Sequence, residues 1–309
     1  MYNGVLNIYK EKGYTSHDVV ARLRGILHQK KIGHTGTLDP DAAGVLPVCL
    51  GQATRLADML TDKTKTYEAV LLLGRETDTQ DVSGQILAEA PVTASPEEVR
   101  AAAESFEGAY EQVPPMYSAL KVGGKKLYQL ARQGRVVERQ ARPVTIYRLT
   151  VEEICLPRVR MTVCCSKGTY IRTLCHDIGQ KLECGGCMEE LLRTQVERFS
   201  LADSLTLDQV EQLRDREELE SRIVSVEEMF AAYPPLRTLP ECDGLARNGN
   251  PAAPEQVQDA GAMEDGACFR MYDSGGTFWG VYQYQEEKRR LKPWKMFPDS
   301  AVRSREKGE

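Results

Sequence analysis

The pattern of apolar and polar positions predicts a chain that mixes strands and helices over its first 220 residues. Residues 4–10 are apolar-rich and β-like, and residues 66–73 have the composition of a strand. Residues 144–155 and 158–165 are two further strand candidates, separated only by Leu156-Pro157. Such short runs close together in sequence predict a sheet in which neighbouring strands pair.

Helical spacing of apolar residues appears between these strands. We expect one helix to begin at a Ser16 cap, and three more over residues 95–106, 169–182 and 207–219. The second of these has a Ser-Pro-Glu-Glu start, which places a cap, a proline and two acids where a helix N-terminus favours them. The apolar positions of the first are Val19, Val20, Leu23, Ile26 and Leu27.

The remaining segments predict turns and a change of organisation near residue 235. Residues 33–51 contain glycines and prolines at short intervals, which is typical of a structured loop. Residues 231–235 are interpreted as a linker, and residues 268–284 as a hairpin around Gly275-Gly276. The predicted domains are therefore residues 1–235 and 236–297, followed by a polar tail at 298–309.

Composition narrows the class of protein. With 41% hydrophobic and 28% charged residues in 309, the chain has the balance of a globular protein. No apolar run is long enough to span a bilayer, and the first residues do not resemble a secretory signal. Nine scattered cysteines then predict reduced thiols and a cytoplasmic location.

Charge is distributed unevenly, although the formal net charge is only -5. Residues 117–148 contain eight basic residues and one acid, whereas residues 207–229 contain eight acids and three arginines. A segregated charge can steer a polyanion, but it can equally be a solvated surface, and charge alone does not decide between them. The basic residues are Lys121, Lys125, Lys126, Arg132, Arg135, Arg139, Arg142 and Arg148.

Candidate chemistry concentrates in residues 33–40, Gly-His-Thr-Gly-Thr-Leu-Asp-Pro. Proline restricts the backbone of Asp39, and the nearby glycines allow another chain to approach closely. An ordinary Asp-Pro turn is the commoner explanation for such a pair. It accounts poorly for the presence of His34 and two threonines in the same short loop.

This run resembles the catalytic motif of tRNA pseudouridine-55 synthases of the bacterial TruB type. The resemblance continues through residues 43–46 and 51–55, and further stretches at 65–67, 116–121 and 166–172 agree in order. It covers roughly residues 3–200. One departure is Tyr9-Lys10-Glu11, where the family usually has Asp-Lys-Pro; the lysine is kept.

The resemblance implies an α+β fold: a pseudouridine synthase catalytic domain with a mixed, mainly antiparallel sheet, followed by a small β-rich, PUA-like RNA-binding domain. It also implies roles for individual residues. Asp39 would be the covalent or nucleophilic partner, Tyr67 would stack on the flipped uracil and handle its C5 proton, and Arg172 would pair with Asp39. Substrate contacts are implied for His34, Lys10, Tyr170 and Leu191.

The basic segment gains an implied role as well. In the family the equivalent insertion folds over the T-loop, so Lys125, Lys126 and Arg132 are expected to contact tRNA, with a basic helix near residues 125–132. The substrate would be the T-arm of tRNA. No obligate protein partner is expected, and the chain is predicted to be a monomer.

The chemistry suits these residue types. Isomerisation of uridine breaks an N-glycosidic bond and makes a C–C glycosidic bond, and a carboxylate can attack the sugar or the base or stabilise cationic character. Burial would raise the pKa of that carboxylate, which a neighbouring arginine offsets. Extruding the base costs a few kcal/mol, which aromatic stacking of ~1–3 kcal/mol per base can offset. No step requires a metal or a redox cofactor.

Two other motifs have features of metal sites. Cys184-Gly-Gly-Cys187 has zinc-like spacing but no second ligand pair nearby, so a glycine turn is favoured. Residues 78–84 resemble a calcium loop with a misplaced glycine and too few carboxylates, so an ordinary loop is favoured.

Two alternative functions stay open. A guide-RNA-directed synthase would carry out the same chemistry on another RNA, although such relatives usually have basic tails. A tRNA-folding chaperone without catalysis is the second alternative, and the presence of Asp39, Tyr67 and Arg172 together argues against it.

Overall fold

The computed structural model describes residues 1–61, 63–258 and 260–298. The chain forms two compact units. The larger consists of Asn7–Val48 and Leu56–Glu217, and the smaller of Met1–Leu6, Cys49–Arg55 and the described residues from Glu218 onward. The predicted polar tail at 298–309 lies almost entirely outside the described residues.

Strands and helices alternate irregularly through the first 217 residues. The strands are β1 (Gly4–Lys10), β2 (Ile32–His34), β3 (Ala43–Leu50), β4 (Lys65–Leu73), β5 (Arg75–Thr77), β6 (Ile86–Glu89), β7 (Gly108–Gln112), β8 (Lys121–Val122), β9 (Lys125–Lys126), β10 (Arg142–Cys155), β11 (Arg158–Cys165), β12 (Gly186–Val196) and β13 (Phe199–Ser200). The helices are α1 (Ser16–Ile26), α2 (Ala57–Thr61), α3 (Pro96–Glu104), α4 (Leu127–Ala131), α5 (Ile171–Lys181) and α6 (Leu207–Asp215), with a 3₁₀ turn at Gly51–Leu56.

One large sheet organises the larger unit. Its strands follow the order β1-β3-β12-β4-β11-β10-β7. The pairs from β12 to β7 are antiparallel, whereas β12 and β3 are parallel. The predicted α+β class with a mixed, mainly antiparallel sheet is therefore confirmed.

The core of this unit lies between the sheet and two helices. Helix α3 contributes Val99 and Ala103, and α5 contributes Leu174 and Ile178, all fully buried against apolar side chains of β4, β10 and β11. These apolar residues repeat at helical spacing, so one face of each helix meets the sheet. Burying a side chain of the size of valine, leucine or isoleucine stabilises the fold by ~1.5–3 kcal/mol.

The start of α1 differs from the expectation of a Ser16 cap. Thr15 is the N-cap, and its side chain accepts a hydrogen bond from the backbone N–H of Asp18 while Asp18 accepts from the backbone of Thr15. Such a reciprocal capping box satisfies two otherwise unpaired N–H groups. Ser16 is thereby released for a buried contact in the site described below.

The prediction that residues 33–51 form a loop was wrong in its second half. Ala43–Leu50 is a strand whose residues are all buried. Burial on both faces removes the alternation that marks a strand in sequence, and Gly44 and Pro47 obscured the pattern further. Residues 35–42 do form a loop.

The smaller unit contains a second sheet in its C-terminal part. This unit also contains β14 (Ile223–Val224), which lies outside that sheet and pairs with β1 at Val5 and Leu6. The other strands of the unit are β15 (Pro235–Thr238), β16 (Val257–Gln258), β17 (Cys268–Tyr272), β18 (Phe278–Gln285) and β19 (Arg290–Met296). The last five form a sheet in the order β16-β15-β17-β18-β19, with one short helix, α7 (Asp243–Asn248). The predicted hairpin at 268–284 is confirmed, and this sheet is the small β-rich region that was expected.

The sheet of the smaller unit has its own apolar core. Trp279, Tyr282, Met271 and Leu291 are fully or almost fully buried in it. The indole Nε1–H of Trp279 donates to the buried carboxylate of Asp273 at 3.0 Å. A buried indole with a satisfied N–H packs without an electrostatic penalty, so this region folds around an anchored tryptophan.

Candidate active site

The loop between β2 and β3 carries Asp39 and is fixed to the start of α1. The Leu38 backbone N–H donates to the Ser16 hydroxyl at 2.9 Å, and Ser16 is fully buried. After Asp39, the Gly13 N–H donates to the Pro40 carbonyl at 2.9 Å, and the Ala42 N–H donates to the Asp39 carbonyl at 3.1 Å. The backbone on both sides of Asp39 is therefore held by hydrogen bonds.

Lys10 reinforces the same loop from the end of β1. Its side chain is fully buried, and Nζ donates to the backbone carbonyls of Tyr14 at 2.7 Å, Glu11 at 3.0 Å and Pro40 at 3.1 Å. All three ammonium donors are thus used within the protein. These hydrogen bonds tie the end of β1 to the Asp39 loop, and the substrate contact expected of Lys10 stays a prediction.

Burial also changes the protonation of Lys10. Removal from solvent lowers its pKa from the ordinary value to about 8, while the negative charges of Asp39 and Asp41 act in the opposite direction. Lys10 is charged at neutral pH, and its charge is lost only on the alkaline side.

Arg172 pairs with Asp39 through two contacts, as the resemblance implied. Its Nε lies 3.0 Å from Asp39 Oδ2, and its Nη2 donates to Asp39 Oδ1 at 3.3 Å. Arg172 is the second residue of α5, and its side chain is only 7% exposed, whereas that of Asp39 is 39% exposed. A bidentate pair fixes the orientation of the carboxylate as well as its charge.

The other donors of Arg172 connect three segments. Nη1 donates to the Thr79 carbonyl at 3.1 Å and lies 3.5 Å from Asp81 Oδ2, and Nη2 also donates to the Tyr117 carbonyl at 2.9 Å. Arg172 therefore lies between two carboxylates, and it also hydrogen-bonds to Tyr117, the first residue of the basic segment. The 78–84 loop, expected to be ordinary, supplies one of these carboxylates.

The pKa of Asp39 is raised from its ordinary value. Burial is the largest cause, Arg172 counteracts it, and the negative charge of Asp81 adds to it. The arginine thus offsets the cost of ionisation in part, as expected from its position. A partly exposed carboxylate held this way is available to a reacting partner.

Tyr67, Leu191 and Arg193 form the floor beside Asp39. Tyr67 on β4 lies directly across from Arg193 on β12, and Ala69 lies across from Leu191. Tyr67 and Leu191 are each 7% exposed and share an apolar cluster with Leu38. The predicted stacking residue and the predicted base contact are thus brought together next to the Asp39 loop.

Close approach of two strands explains one glycine of the motif. Gly44 in β3 has φ +111°, and a Cβ atom there would overlap the backbone carbonyl of Arg193 in β12. Only glycine tolerates both conditions. The parallel pairing of β3 and β12 at this point fixes the spacing between the Asp39 loop and the site floor.

His34 lies at the entrance to the same loop, at the end of β2. Its Nδ1 accepts a hydrogen bond from the Gly36 N–H at 3.3 Å, and its ring meets that of His17 edge-on, with centroids 5.2 Å apart. Burial, followed by the charges of His17 and Arg193, lowers the pKa of His34. The half-buried imidazole is therefore mainly neutral at pH 7.

Tyr170 caps α5 one residue before Ile171. Its backbone N–H donates to Gln112 Oε1 at 2.7 Å, and Gln112 Nε2 donates back to the Tyr170 carbonyl at 3.0 Å. Gln112 is almost fully buried. This two-way contact orients the first turn of α5, from which Arg172 reaches Asp39.

The basic segment has a hairpin, a short helix and a small core. Strands β8 and β9 pair across Gly123-Gly124, and Leu127 and Leu130 of α4 pack with Met116. The predicted helix near 125–132 is present in shortened form as α4. Lys126 Nζ and the Arg132 guanidinium each lie 5.5 Å from the centre of the Tyr128 ring, which holds them by cation–π contact.

Sequence reasoning missed three residues of the site. The sequence predicts Ser16 only as a cap and Asp81 only as part of an ordinary loop, and it does not single out Arg193. Arg193 gave no clear signal, because its strand also contains Glu189, Glu190, Thr194 and Gln195. Arg193 is in fact 1% exposed.

Neither a cluster of metal ligands nor a membrane-spanning helix is found in residues 1–61, 63–258 and 260–298. Within these ranges, no group of three or more His, Cys, Asp or Glu residues is placed to bind a metal ion. Cys184 and Cys187 are buried free thiols. No helix of the described residues is both long and apolar enough to cross a membrane.

The chain matches two family models. One describes the N-terminal domain of TruB family pseudouridylate synthases and matches residues 24–171; the other describes the C-terminal domain of tRNA pseudouridylate synthase B and matches residues 172–231. Together they cover two thirds of the chain, including Asp39, Tyr67 and Arg172.

Curated relatives and solved structures agree with this assignment. The chain is 49% identical to tRNA pseudouridine synthase B of Lachnoclostridium phytofermentans, over 96% of this chain and 99% of that protein. It is 55% identical to the enzyme of the same name from Alkaliphilus oremlandii, over 70% and 73%. A crystal structure of a Cbf5-Nop10-Gar1 complex contains a chain of the same fold, with a TM-score of 0.71, 26% identity and coverage of 96% and 85%. The protein belongs to the TruB family of pseudouridylate synthases.

Proposed function

We propose that the protein converts uridine 55 in the T-loop of tRNA to pseudouridine, with Asp39 as the reacting carboxylate. The observation that carries this proposal is the partly exposed Asp39 side chain, held by Arg172 on a loop whose backbone is fixed on both sides. The relatives named tRNA pseudouridine synthase B support the choice of tRNA as substrate.

The reaction is an isomerisation in which no atoms are gained or lost overall. The bond between uracil N1 and ribose C1′ breaks, a bond between C5 and C1′ forms, the C5 hydrogen leaves and N1 takes up a proton. A carboxylate beside the sugar serves either as a nucleophile or as a stabiliser of positive charge. Asp39 must be ionised for both, and Arg172 favours that form.

The residues around Asp39 receive separate tasks in this proposal. The ring of Tyr67 stacks on the extruded uracil, its hydroxyl takes part in removing the C5 proton, and Leu191 contacts the base from the neighbouring strand. His34 and Tyr170 contact the RNA at the edge of the site. Lys10 positions the Asp39 loop through its three carbonyl contacts.

The basic segment supplies electrostatic affinity for the T-arm. Lys125 and Arg132 are exposed, and Lys126 is half-buried. The first residue of the segment, Tyr117, accepts a hydrogen bond from Arg172 through its backbone carbonyl. RNA bound by the segment is therefore held close to Asp39, which favours extrusion of a base into the site.

The C-terminal sheet is assigned to RNA binding as a PUA-like domain of residues 236–297, and residues 1–235 to catalysis. We also propose that the protein acts in the cytoplasm, as a monomer and without an obligate protein partner. A guide-RNA-directed activity is the principal alternative, because chains of the same fold occur in a complex described as an H/ACA RNP bound to a substrate RNA.

The test uses unmodified tRNA transcript without any guide RNA. We expect pseudouridine at position 55 alone when the product is mapped at single-nucleotide resolution. A transcript with cytidine at that position is the matched control and should remain unmodified. Modification at other uridines, or none without added guide RNA, would contradict the proposal.

A further inference from the structure

Arg193 is a buried cation in the site floor that the roles above leave unused. It lies on β12 with 1% exposure. Its Nε donates to the Val45 carbonyl at 2.7 Å, and within the described part of the chain its Nη2 has no hydrogen-bond partner. A guanidinium buried in this way is expected to have a specific electrostatic partner, since unpaired buried charges are strongly disfavoured.

The backbone places Arg193 beside Tyr67. The two residues are direct cross-strand partners in β12 and β4, so their side chains project on the same face of the sheet. The register shifts immediately after Arg193, between that residue and Gln195. A bulge at this position re-aims the preceding side chain, and Gly44 lets β3 close on it from the other side.

The Arg193 guanidinium also borders the Asp39 loop. Its Nη1 would lie 3.8 Å from a Cβ atom at Gly36, so it stands close to the glycine that follows His34 and Thr35. Its positive charge acts on His34 and on Lys10. Arg193 is therefore surrounded by the Tyr67 hydroxyl, the Val45 carbonyl and the loop that carries Asp39.

Three charged or titratable groups act electrostatically on the Tyr67 hydroxyl. They are Arg193 of β12, which also hydrogen-bonds to it, Cys165 of β11 and Asp39 of the loop. Burial raises the pKa of Tyr67. The charges of Cys165 and Asp39 raise it further, whereas Arg193 lowers it by its charge and by hydrogen bonding. Arg193 is thus the group among these that favours loss of the phenol proton.

We propose that Arg193 is a positioning residue for Tyr67, holding its hydroxyl in place and keeping a positive charge beside it. The assignment rests on the proposed function in one respect, namely that Tyr67 handles the C5 proton of uracil. The form of Tyr67 that can accept that proton is the phenolate, which burial without a cation makes very unfavourable. With Arg193 alongside, the phenolate forms at lower cost and can accept or relay the proton.

The test measures Tyr67 directly in the protein without RNA. Tyrosine 67 is replaced by 3-fluorotyrosine, whose phenol is more acidic because fluorine withdraws electrons, and its titration is followed by fluorine NMR. We expect Arg193→Met and Arg193→Gln to move the midpoint upward by about one pH unit or more, a tenfold change in proton affinity. Arg158→Met, which removes an exposed arginine from the next strand but one, is the matched control and should leave the midpoint unchanged.

Activity provides the second readout. Arg193→Met should lower turnover at saturating tRNA with little change in KM, and Arg193→Lys should restore part of both turnover and titration. An unshifted midpoint in the Met and Gln variants would overturn the proposal. If neither variant folds, Arg193→His decides, because its imidazole is neutral at the alkaline pH at which Tyr67 titrates, so the positive charge is lost and the midpoint must rise; no rise again overturns the proposal.

The two proposals fail separately. If the fluorotyrosine midpoint shifts as expected but the wild-type protein modifies no tRNA, the proposed function is wrong while the placement of Arg193 stands. If tRNA is modified and the midpoint does not shift, the role of Arg193 is wrong while the proposed function stands.

Discussion

The Asp39 site and the basic segment handle charge in opposite ways. In the site, Arg172 is nearly buried and contacts Asp39, Asp81 and two backbone carbonyls. In the basic segment, cations such as Lys125 and Arg132 are exposed, and the side chain of Arg132 lies over the Tyr128 ring. The buried charged groups have a fixed orientation, whereas the exposed charged groups are accessible to a polyanion.

This difference separates chemistry from affinity. Fixed, partly desolvated groups act strongly over short distances and respond little to salt, because counterions cannot approach them. Exposed cations act through released counterions and weaken steeply as salt rises. Substitutions in the site should therefore change turnover, and substitutions in the segment should change binding and its salt dependence.

The largest effect is expected for Arg172→Met. It leaves Asp39 and Asp81 without their shared cation and raises the pKa of Asp39 further. We expect loss of activity and destabilisation toward the lower end of ~3–5 kcal/mol, because Asp39 is partly exposed. Thermal unfolding and product formation are the measurements. Arg160→Met removes an exposed ion pair with Glu153 and serves as the control; equal effects of the two variants would contradict the distinction between buried and exposed charge.

Tyr67→Phe isolates the hydroxyl from the ring. We expect tRNA affinity close to that of the wild type and product formation lower by ~10²–10⁴-fold, the usual contribution of a positioned acid–base group. Tyr67→Leu should in addition weaken binding by the ~1–3 kcal/mol of one stacked base. Tyr147→Phe, at an exposed tyrosine of β10, is the control. Wild-type turnover in Tyr67→Phe would assign Tyr67 to stacking alone.

How much of this site is predictable from sequence depends on the range of each contact. The 33–40 motif identifies Asp39, and its resemblance to a known family identifies Tyr67 and Arg172. Ser16, Asp81 and Arg193 were missed because each acts through a partner more than 20 residues away in sequence. No local periodicity indicates such a contact. The sheet register places Arg193, the turn after β5 places Asp81, and the approach of the Asp39 loop to α1 places Ser16.

The fold was predicted where amphipathic patterns are strong and missed where they vanish. Helices α3, α5 and α6 have clear apolar faces and were placed within a few residues. Strand β3 is buried on both faces, so alternation is absent. In the C-terminal sheet, β15 and β16 are too short to show a pattern.

Lys10 predicts a pH dependence of moderate size. Above its pKa of about 8 the neutral amine has two N–H donors for three carbonyls, so one hydrogen bond that holds the Asp39 loop is broken. Turnover should fall through this range, by up to ~10²-fold if the loop shifts. Lys10→Met should show lower turnover at neutral pH and no decline with this midpoint.

Unfolding does not explain such a decline. Because the pKa of Lys10 is lower in the folded protein than in the unfolded chain, the folded state binds fewer protons between about pH 8 and the ordinary lysine pKa of ~10.4. Its contribution to stability therefore increases as pH rises through that window. A melting temperature that fell in parallel with turnover would contradict the assignment to Lys10.

The smallest effect per residue is expected in the basic segment. Replacing Lys125, Lys126 and Arg132 with alanine should weaken tRNA binding and reduce the slope of log affinity against log salt by up to ~2.7, which is ~0.9 for each phosphate that is no longer neutralised. Arg158 and Arg160 are exposed, Arg75 is half-buried, and all three are paired with acids. Their triple alanine variant changes net charge equally and should leave the slope unchanged. Equal slopes for both triple variants would show that the segment is a solvated surface.

The central claim is that Asp39 carries the chemistry and little of the binding. The most direct measurement uses tRNA labelled with tritium at uridine C5, because isomerisation releases that hydrogen to water. Asp39→Asn should release no tritium above background while its affinity for the same tRNA stays within about tenfold, or 1.4 kcal/mol, of the wild type. The neighbouring Asp41→Asn should release tritium at close to the wild-type rate. Appreciable release by Asp39→Asn would contradict the account.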